Sequence, residues 1–157
     1  MGRHYPACLS LKSCLVVTML CLLSGCGVGY NTDSGGDARR SAAQDVNTDE
    51  PLDDRVSAKQ GDHTDWKRFE LPTSASLTLR FWWDDPSVRA SVQLRDEHGS
   101  LLHEAVHQSS RAEENFGPVD LGPGAYFLQI EASSGASVYT FRLDTGPGRG
   151  APGRPGF

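Results

Sequence analysis

The stretch His103-Glu104-Ala105-Val106-His107 carries the residue types and spacing of a zinc-dependent hydrolase site. On a helix, two histidines four positions apart share a face and can bind one metal ion, with the glutamate as general base. Glu113 stands where a third ligand would fall, and Ser100 could cap such a helix. On a strand the same two histidines stand about 13 Å apart, whereas each must come within about 2.0–2.1 Å of the zinc. The flanking sequence favours the strand: Gly99 closes one alternating run, the next begins near Val119, and Ser110 occupies the position where longer zinc-protease patterns turn on glycine. No G-x-S-x-G elbow and no phosphate-cradling glycine loop accompany it. The expectation is a chain that is not an enzyme, with no catalytic residues, no metal and no cofactor; a zinc metallopeptidase is the remote alternative.

Two other groups of residues have chemistry to offer. Asp62, Asp65, Asp84 and Asp85 are oxygen donors at loop or strand-end positions, but calcium takes six to eight oxygens, and aspartates beside turns more often cap the backbone. Trp82 is the better binding candidate. If Trp83 faces a core with Phe81, alternation turns Trp82 to the opposite face beside Arg80, where an indole and a guanidinium can stack on a flat ligand such as a sugar ring. Phe127 falls out of phase with Tyr126 in the same way. Trp82, Arg80 and Phe127 are therefore the expected ligand-binding residues, for a protein or glycan partner. A tether or tail covering that face, or a bulge turning both tryptophans inward, is the competing reading.

The elements that position these residues are short alternating runs divided by turns, the pattern of an all-β fold. Residues 65–71 place Phe69 and Leu71 on one face. Residues 75–83 point Leu77, Leu79, Phe81 and Trp83 one way and Ser76, Thr78, Arg80 and Trp82 the other. Pro86 ends ladder pairing in the turn that follows. Ala90, Val92 and Leu94 resume the alternation, Asp96-Glu97-His98-Gly99 makes a hairpin, and Leu102, Glu104 and Val106 form a return strand. Further strands run through Val119 and Leu121, through Tyr126, Leu128 and Ile130, and through Tyr139, Phe141 and Leu143. The expected fold is a small antiparallel β-sandwich, jelly-roll-like, of about seven strands over residues 62–144.

Around this domain the sequence has a different texture. Arg3 and Lys12 precede a short apolar stretch that ends in Leu23-Ser24-Gly25-Cys26, the plan of a secretory signal and too short for a spanning helix of roughly 20 residues. Residues 27–61, rich in Gly, Ser, Asp, Asn and Thr, read as a disordered tether with a span of roughly 30 Å. Asp45, Asp49, Glu50, Asp53 and Asp54 read as its solvated charges, with a docking strip as the alternative. Residues 145–157 read as a disordered Gly/Pro tail. All of Cys8, Cys14, Cys21 and Cys26 lie at or before position 26, so no disulfide is expected in the domain. The net charge of -5 becomes more negative once Arg3 and Lys12 are removed, which argues against nucleic acid as a partner.

Leu23-Ser24-Gly25-Cys26 resembles the lipobox of bacterial lipoproteins. That resemblance implies cleavage after residue 25, lipidation of Cys26 and a membrane as partner; Gly27, in place of aspartate, implies the outer membrane. The motifs Asp65-Trp66-x-x-Phe69, Leu77-x-Leu79, Val92-x-Leu94-x-Asp96-x-x-Gly99-x-x-Leu102, Val119-x-Leu121-x-Pro123-Gly124-x-Tyr126-x-Leu128-x-Ile130 and Tyr139-x-Phe141-x-Leu143 resemble the bacterial pre-peptidase C-terminal domain. This likeness, over residues 62–144, implies a small β-sandwich that acts as an accessory module, here without the hydrolase that usually accompanies it. The resulting expectation is a non-catalytic envelope lipoprotein that binds a protein or glycan, or a subunit of an envelope or secretion assembly. The residues do not specify an oligomeric state.

Overall fold

The computed structural model describes residues 36–59 and 61–148. The lipobox at Leu23–Cys26, the first part of the expected tether and the end of the tail lie outside the described residues. The strands are β1 (Gln44–Asp45), β2 (Pro51–Ser57), β3 (Thr64–Leu71), β4 (Ala75–Trp83), β5 (Arg89–Asp96), β6 (Leu101–Val106), β7 (Glu113–Leu121), β8 (Gly124–Ser134) and β9 (Ala136–Pro147). One sheet has the order β1-β3-β8-β5-β6 and the other β2-β9-β4-β7. Every pairing is antiparallel except that of β1 with β3. Without the short β1, the eight long strands pass from sheet to sheet in the order of a jelly roll. Among them only β5 and β6 are consecutive in sequence and paired.

Alternation built this sandwich as expected. Leu77, Leu79, Phe81 and Trp83 are buried, as are Val92 and Leu94, Tyr126, Leu128 and Ile130, and Tyr139, Phe141 and Leu143. Phe81 stacks on Trp83 and Phe141 at ring separations of 5.3 and 5.7 Å, which centres the core on β4 and β9. The Asp96 hairpin forms as read: Asp96 Oδ1 accepts from the amides of His98 and Ser100, and Gly99 takes a φ of 91° that a side chain would resist. In the Pro123-Gly124-x-Tyr126 turn, the Tyr126 hydroxyl donates to the Gly122 carbonyl at 2.9 Å, which pins the start of β8.

Two boundaries need correction. Residues 36–59 are part of the sandwich, not a disordered tether. Val56 is fully buried, and β2 pairs with β9 over its whole length, from Pro51 opposite Arg142 to Ser57 opposite Ala136. The acidic residues that read as solvated charges dock on the domain itself. Asp45 pairs with Arg68 at 2.9 Å, Asp53 accepts from Thr140, and Asp49 accepts both the amide and the hydroxyl of Thr145. Among the described residues the strand count is therefore nine, because β1 and β2 lack the apolar alternation of the other seven. At the other end, Thr145, Gly146 and Pro147 extend β9 beside Leu77, Ser76 and Ala75 and are not tail. Backbone pairing to β4 and the Asp49 bonds to Thr145 hold them there although none of the three is buried.

Candidate functional site

The His103–His107 stretch is the strand β6 and its exit, so the helical face that zinc requires does not exist. His103 faces a slot between the sheets beside Leu94, Phe116 and Val119. That slot has a volume of about 20 Å³, room for about one water and no substrate. His107 is buried and committed: Nδ1 lies 2.5 Å from Glu114 Oε2, Nε2 lies 3.1 Å from the Pro86 carbonyl, and its ring packs on Trp83 at 4.7 Å. The amide of Gln108 donates to the other Glu114 oxygen, which closes the β6–β7 connection. The pair is structural. Glu113, which alternation places on the other side of the strand from Glu114, is exposed.

The four candidate calcium donors separate as well. Asp62 and Asp65 are buried at the start of β3, whereas Asp84 and Asp85 are exposed in the β4–β5 turn. Asp85 accepts from the amide and hydroxyl of Ser87, and these bonds hold its carboxyl below the usual range. Among the described residues no group of three or more His, Cys, Asp or Glu is arranged to hold a metal.

Trp82, Arg80 and Phe127 are not brought together. Trp82 and Arg80 share the outer face of the β2-β9-β4-β7 sheet, where Arg80 Nε and Arg142 Nε flank the Asp144 carboxylate at 2.5 and 2.7 Å. Trp83 faces the core, as the alternation required. Phe127 lies on the opposite side of the molecule, on the outer face of the other sheet. There it meets Trp66 edge to face at 6.4 Å, and the Arg40 guanidinium lies over its ring at 5.5 Å.

Around Phe127 the structure assembles a surface that the sequence did not announce. Strand register places Trp66, Gln129, Gln93 and Glu104 side by side on β3, β8, β5 and β6. At the usual strand separation this row is about 14 Å wide. Gln93 Nε2 donates to Glu104 at 2.8 Å, and Arg95 donates to Gln93 at 2.5 Å and to Gln129 at 3.1 Å. Arg95 also reaches the Gly99 carbonyl at 2.8 Å. The result is a pre-ordered ladder of amide donors and acceptors with an aromatic pair at one end. An open depression of about 410 Å³ adjoins it, lined by Arg89, Ser91, Val106, Ser109, Glu131 and Ser133. A surface of this kind can hydrogen-bond neighbouring hydroxyls and stack a ring. The signal for it was present in the out-of-phase residues of β3, β5 and β8, but their partners were set by register.

A second polar group is enclosed at the opposite edge, where β3 and β2 close the sandwich. Lys67, on the inward face of β3, is fully buried. Its ammonium donates to Asp37 at 2.6 Å, to Gln44 at 2.9 Å and to Asp54. Burial alone would lower the Lys67 pKa, but the two carboxylates outweigh it and raise it. Two residues earlier on the same strand, Asp65 accepts a 2.6 Å bond from Tyr139. Burial lifts the Asp65 carboxyl to about 8 against the lowering effect of that bond. All three partners of Lys67 come from the stretch read as tether.

The architecture is a jelly-roll β-sandwich. No known protein family matches the chain by sequence, and no curated protein does. Among solved structures it resembles the pre-peptidase C-terminal domain of a collagenase from Bacillus anthracis, with a TM-score of 0.52 and 18% identity over 64% of this chain and 93% of that one. The likeness is one of fold. PliG from Aeromonas hydrophila, a periplasmic inhibitor of g-type lysozyme, aligns with a TM-score of 0.41 and 9% identity over 66% of this chain and 96% of that one. The Yersinia pseudotuberculosis-derived mitogen aligns with a TM-score of 0.41 and 8% identity over 68% and 90%.

Proposed function

We propose that the chain is a lipid-anchored, non-catalytic binding module of the bacterial cell envelope, engaging a glycan or protein partner through the outer face of the β1-β3-β8-β5-β6 sheet. The observation that carries this reading is the ladder Gln129–Arg95–Gln93–Glu104 beside Trp66 and Phe127. Ordered side chains bind with little further loss of entropy, and amides paired with aromatics suit polyhydroxylated rings. The lipobox-like Leu23-Ser24-Gly25-Cys26 supports the anchor, and Gly27 supports an outer-membrane address. Two or more acyl chains make such an attachment stable.

The test compares the intact lipoprotein with Trp66→Ala/Phe127→Ala and with Trp82→Ala. Sedimentation with peptidoglycan and polysaccharide is run beside crosslinked pull-down from the envelope. Binding is expected to fall at least about tenfold in the double variant and to persist in Trp82→Ala; persistence in both overturns the reading. Palmitate-analogue labelling that is absent from wild type and Cys26→Ala alike removes the anchor. A subunit of an envelope assembly is the second reading. It is favoured by the edge strand β6, which leaves Leu101, Leu102 and Val106 exposed where another chain can pair.

A further inference from the structure

The Lys67 cluster has more chemistry than a salt bridge requires. A lone ion pair between two edges needs one carboxylate, and this nitrogen is fully buried among two carboxylates and one amide oxygen. Asp54 and Lys67 stand on strands of different sheets, facing each other across the sandwich edge. The Asp54 carboxyl is oriented at both oxygens: Oδ1 accepts from the Arg55 amide at 2.7 Å, and Oδ2 meets Lys67 Nζ. An amine held at one carboxyl oxygen, with a backbone donor on the other, stands one bond from the carbon that acyl transfer requires it to attack.

We propose that Lys67 and Asp54 join spontaneously in an intramolecular isopeptide bond, with Asp37 as proton carrier. Asp37, 2.6 Å from Nζ, takes one proton from the ammonium and hands it to Asp54 Oδ2. The amine then attacks Cγ, and the oxyanion forms on Oδ1 against the Arg55 amide. Asp37 takes a second proton from nitrogen and returns it to Oδ2, which leaves as water while the carbonyl re-forms. One ammonium and one carboxylate become one amide and one water, Asp37 ends as it began, and no oxidant or reductant takes part.

The surroundings act on each step. Burial raises the Asp54 carboxyl, against the lowering effect of Lys67, and so promotes the neutral acid that an amine attacks. Lys67 rests as the ammonium because its carboxylates raise it, which is why the reaction needs Asp37. Gln44 fixes the third N–H and holds the nitrogen in place. Exclusion of solvent opposes hydrolysis of the product. The bond ties β2 to β3 in the opposite sheet, in a domain where no cysteine stands beyond position 26 to supply a disulfide.

Tryptic peptide mapping of the full chain, solubilised in detergent and denatured, tests this directly. The expected product is residues 41–55 joined to residues 60–68, lighter than their sum by about 18 Da, with Lys67 refractory to cleavage and fragment ions placing the link at Asp54. Complete recovery of linear 41–55 and 60–67 from folded protein overturns the proposal. A link to the peptide ending at Arg39 overturns the assignment to Asp54. Lys67→Arg keeps the charge without the nucleophile and is expected to lose the joined peptide and the mass deficit; a deficit that persists there belongs to another dehydration and overturns the proposal. The wild-type map stands alone should that variant fail to fold.

Discussion

The Tyr139 hydroxyl donates a 2.6 Å hydrogen bond to Asp65 across the interior, joining β9 of one sheet to β3 of the other. Both groups are buried, and burial raises Tyr139 well above its ordinary value as it raises Asp65 to about 8. A carboxyl that binds its proton more tightly when folded stabilises the fold below its unfolded pKa of about 3.9, and that stability is lost as pH rises through the folded value. Between about pH 4 and pH 8 the penalty of ionising Asp65 in the fold therefore builds, and above pH 8 it is fully developed. Wild-type protein is expected to lose a few kcal/mol, of order 10 °C in melting temperature, from pH 5 to pH 8 relative to Asp65→Asn. Parallel slopes in thermal melts of the two proteins would refute this account of Asp65.

Until it joins Asp54, Lys67 neutralises two buried carboxylates at once. Removing a buried partner leaves the others uncompensated, so Lys67→Met is expected to be about 3–5 kcal/mol less stable than the unjoined wild-type chain. Adding Asp37→Asn and Asp54→Asn is expected to return a large part of that. Urea titrations of the single and triple variants measure both; a single variant as stable as wild type would contradict the electrostatic reading.

Residues 36–59 are expected to be indispensable to folding. A chain starting at Gly36 retains β1, β2 and the partners of Lys67, and it is expected to melt with the cooperativity of the full chain. A chain starting at Asp62 exposes the edge of β9, leaves Lys67 buried without Asp37, Gln44 and Asp54, and loses Val56 from the core. It is expected to show no cooperative transition in circular dichroism.

The two histidines are expected to part company on mutation. His107 is buried against Glu114, Pro86 and Trp83, so His107→Ala leaves a cavity and a stranded carboxylate and should cost about 2–4 kcal/mol. His103 is exposed on an edge strand, and His103→Ala should change stability by less than about 0.5 kcal/mol. Equal effects in denaturant titrations would mean that the two residues act as one site.

Seven strands, β3 to β9, were legible: β4, β5, β8 and β9 carry apolar residues at every second position, a period read from one chain without knowledge of its neighbours, and β3, β6 and β7 carry shorter alternating pieces between turn residues. The inward set Leu77, Leu79, Phe81 and Trp83 shows how far this reaches. β2 was illegible for the same reason. Its inward positions are Leu52, Asp54 and Val56, and an aspartate in that row breaks the alternation. Only the presence of Lys67 opposite makes Asp54 an interior residue. The candidate binding face was half legible: alternation turned Phe127 outward, but pairing it with Trp82 required both to lie on one sheet.

By itself the sequence determined which side of the apolar-patterned strands faces the core, where their turns fall, and that a lipobox-like segment precedes the domain. Side-chain alternation, glycine and proline geometry and local composition are properties of consecutive residues, and they need no fold to act. The tertiary structure alone decided that acids with the composition of a linker would close the sandwich, that Trp66 and not Trp82 would meet Phe127, and that Lys67 would touch Asp54. Those relationships depend on which strands become neighbours, and in a jelly roll nearly all neighbouring strands are distant in sequence.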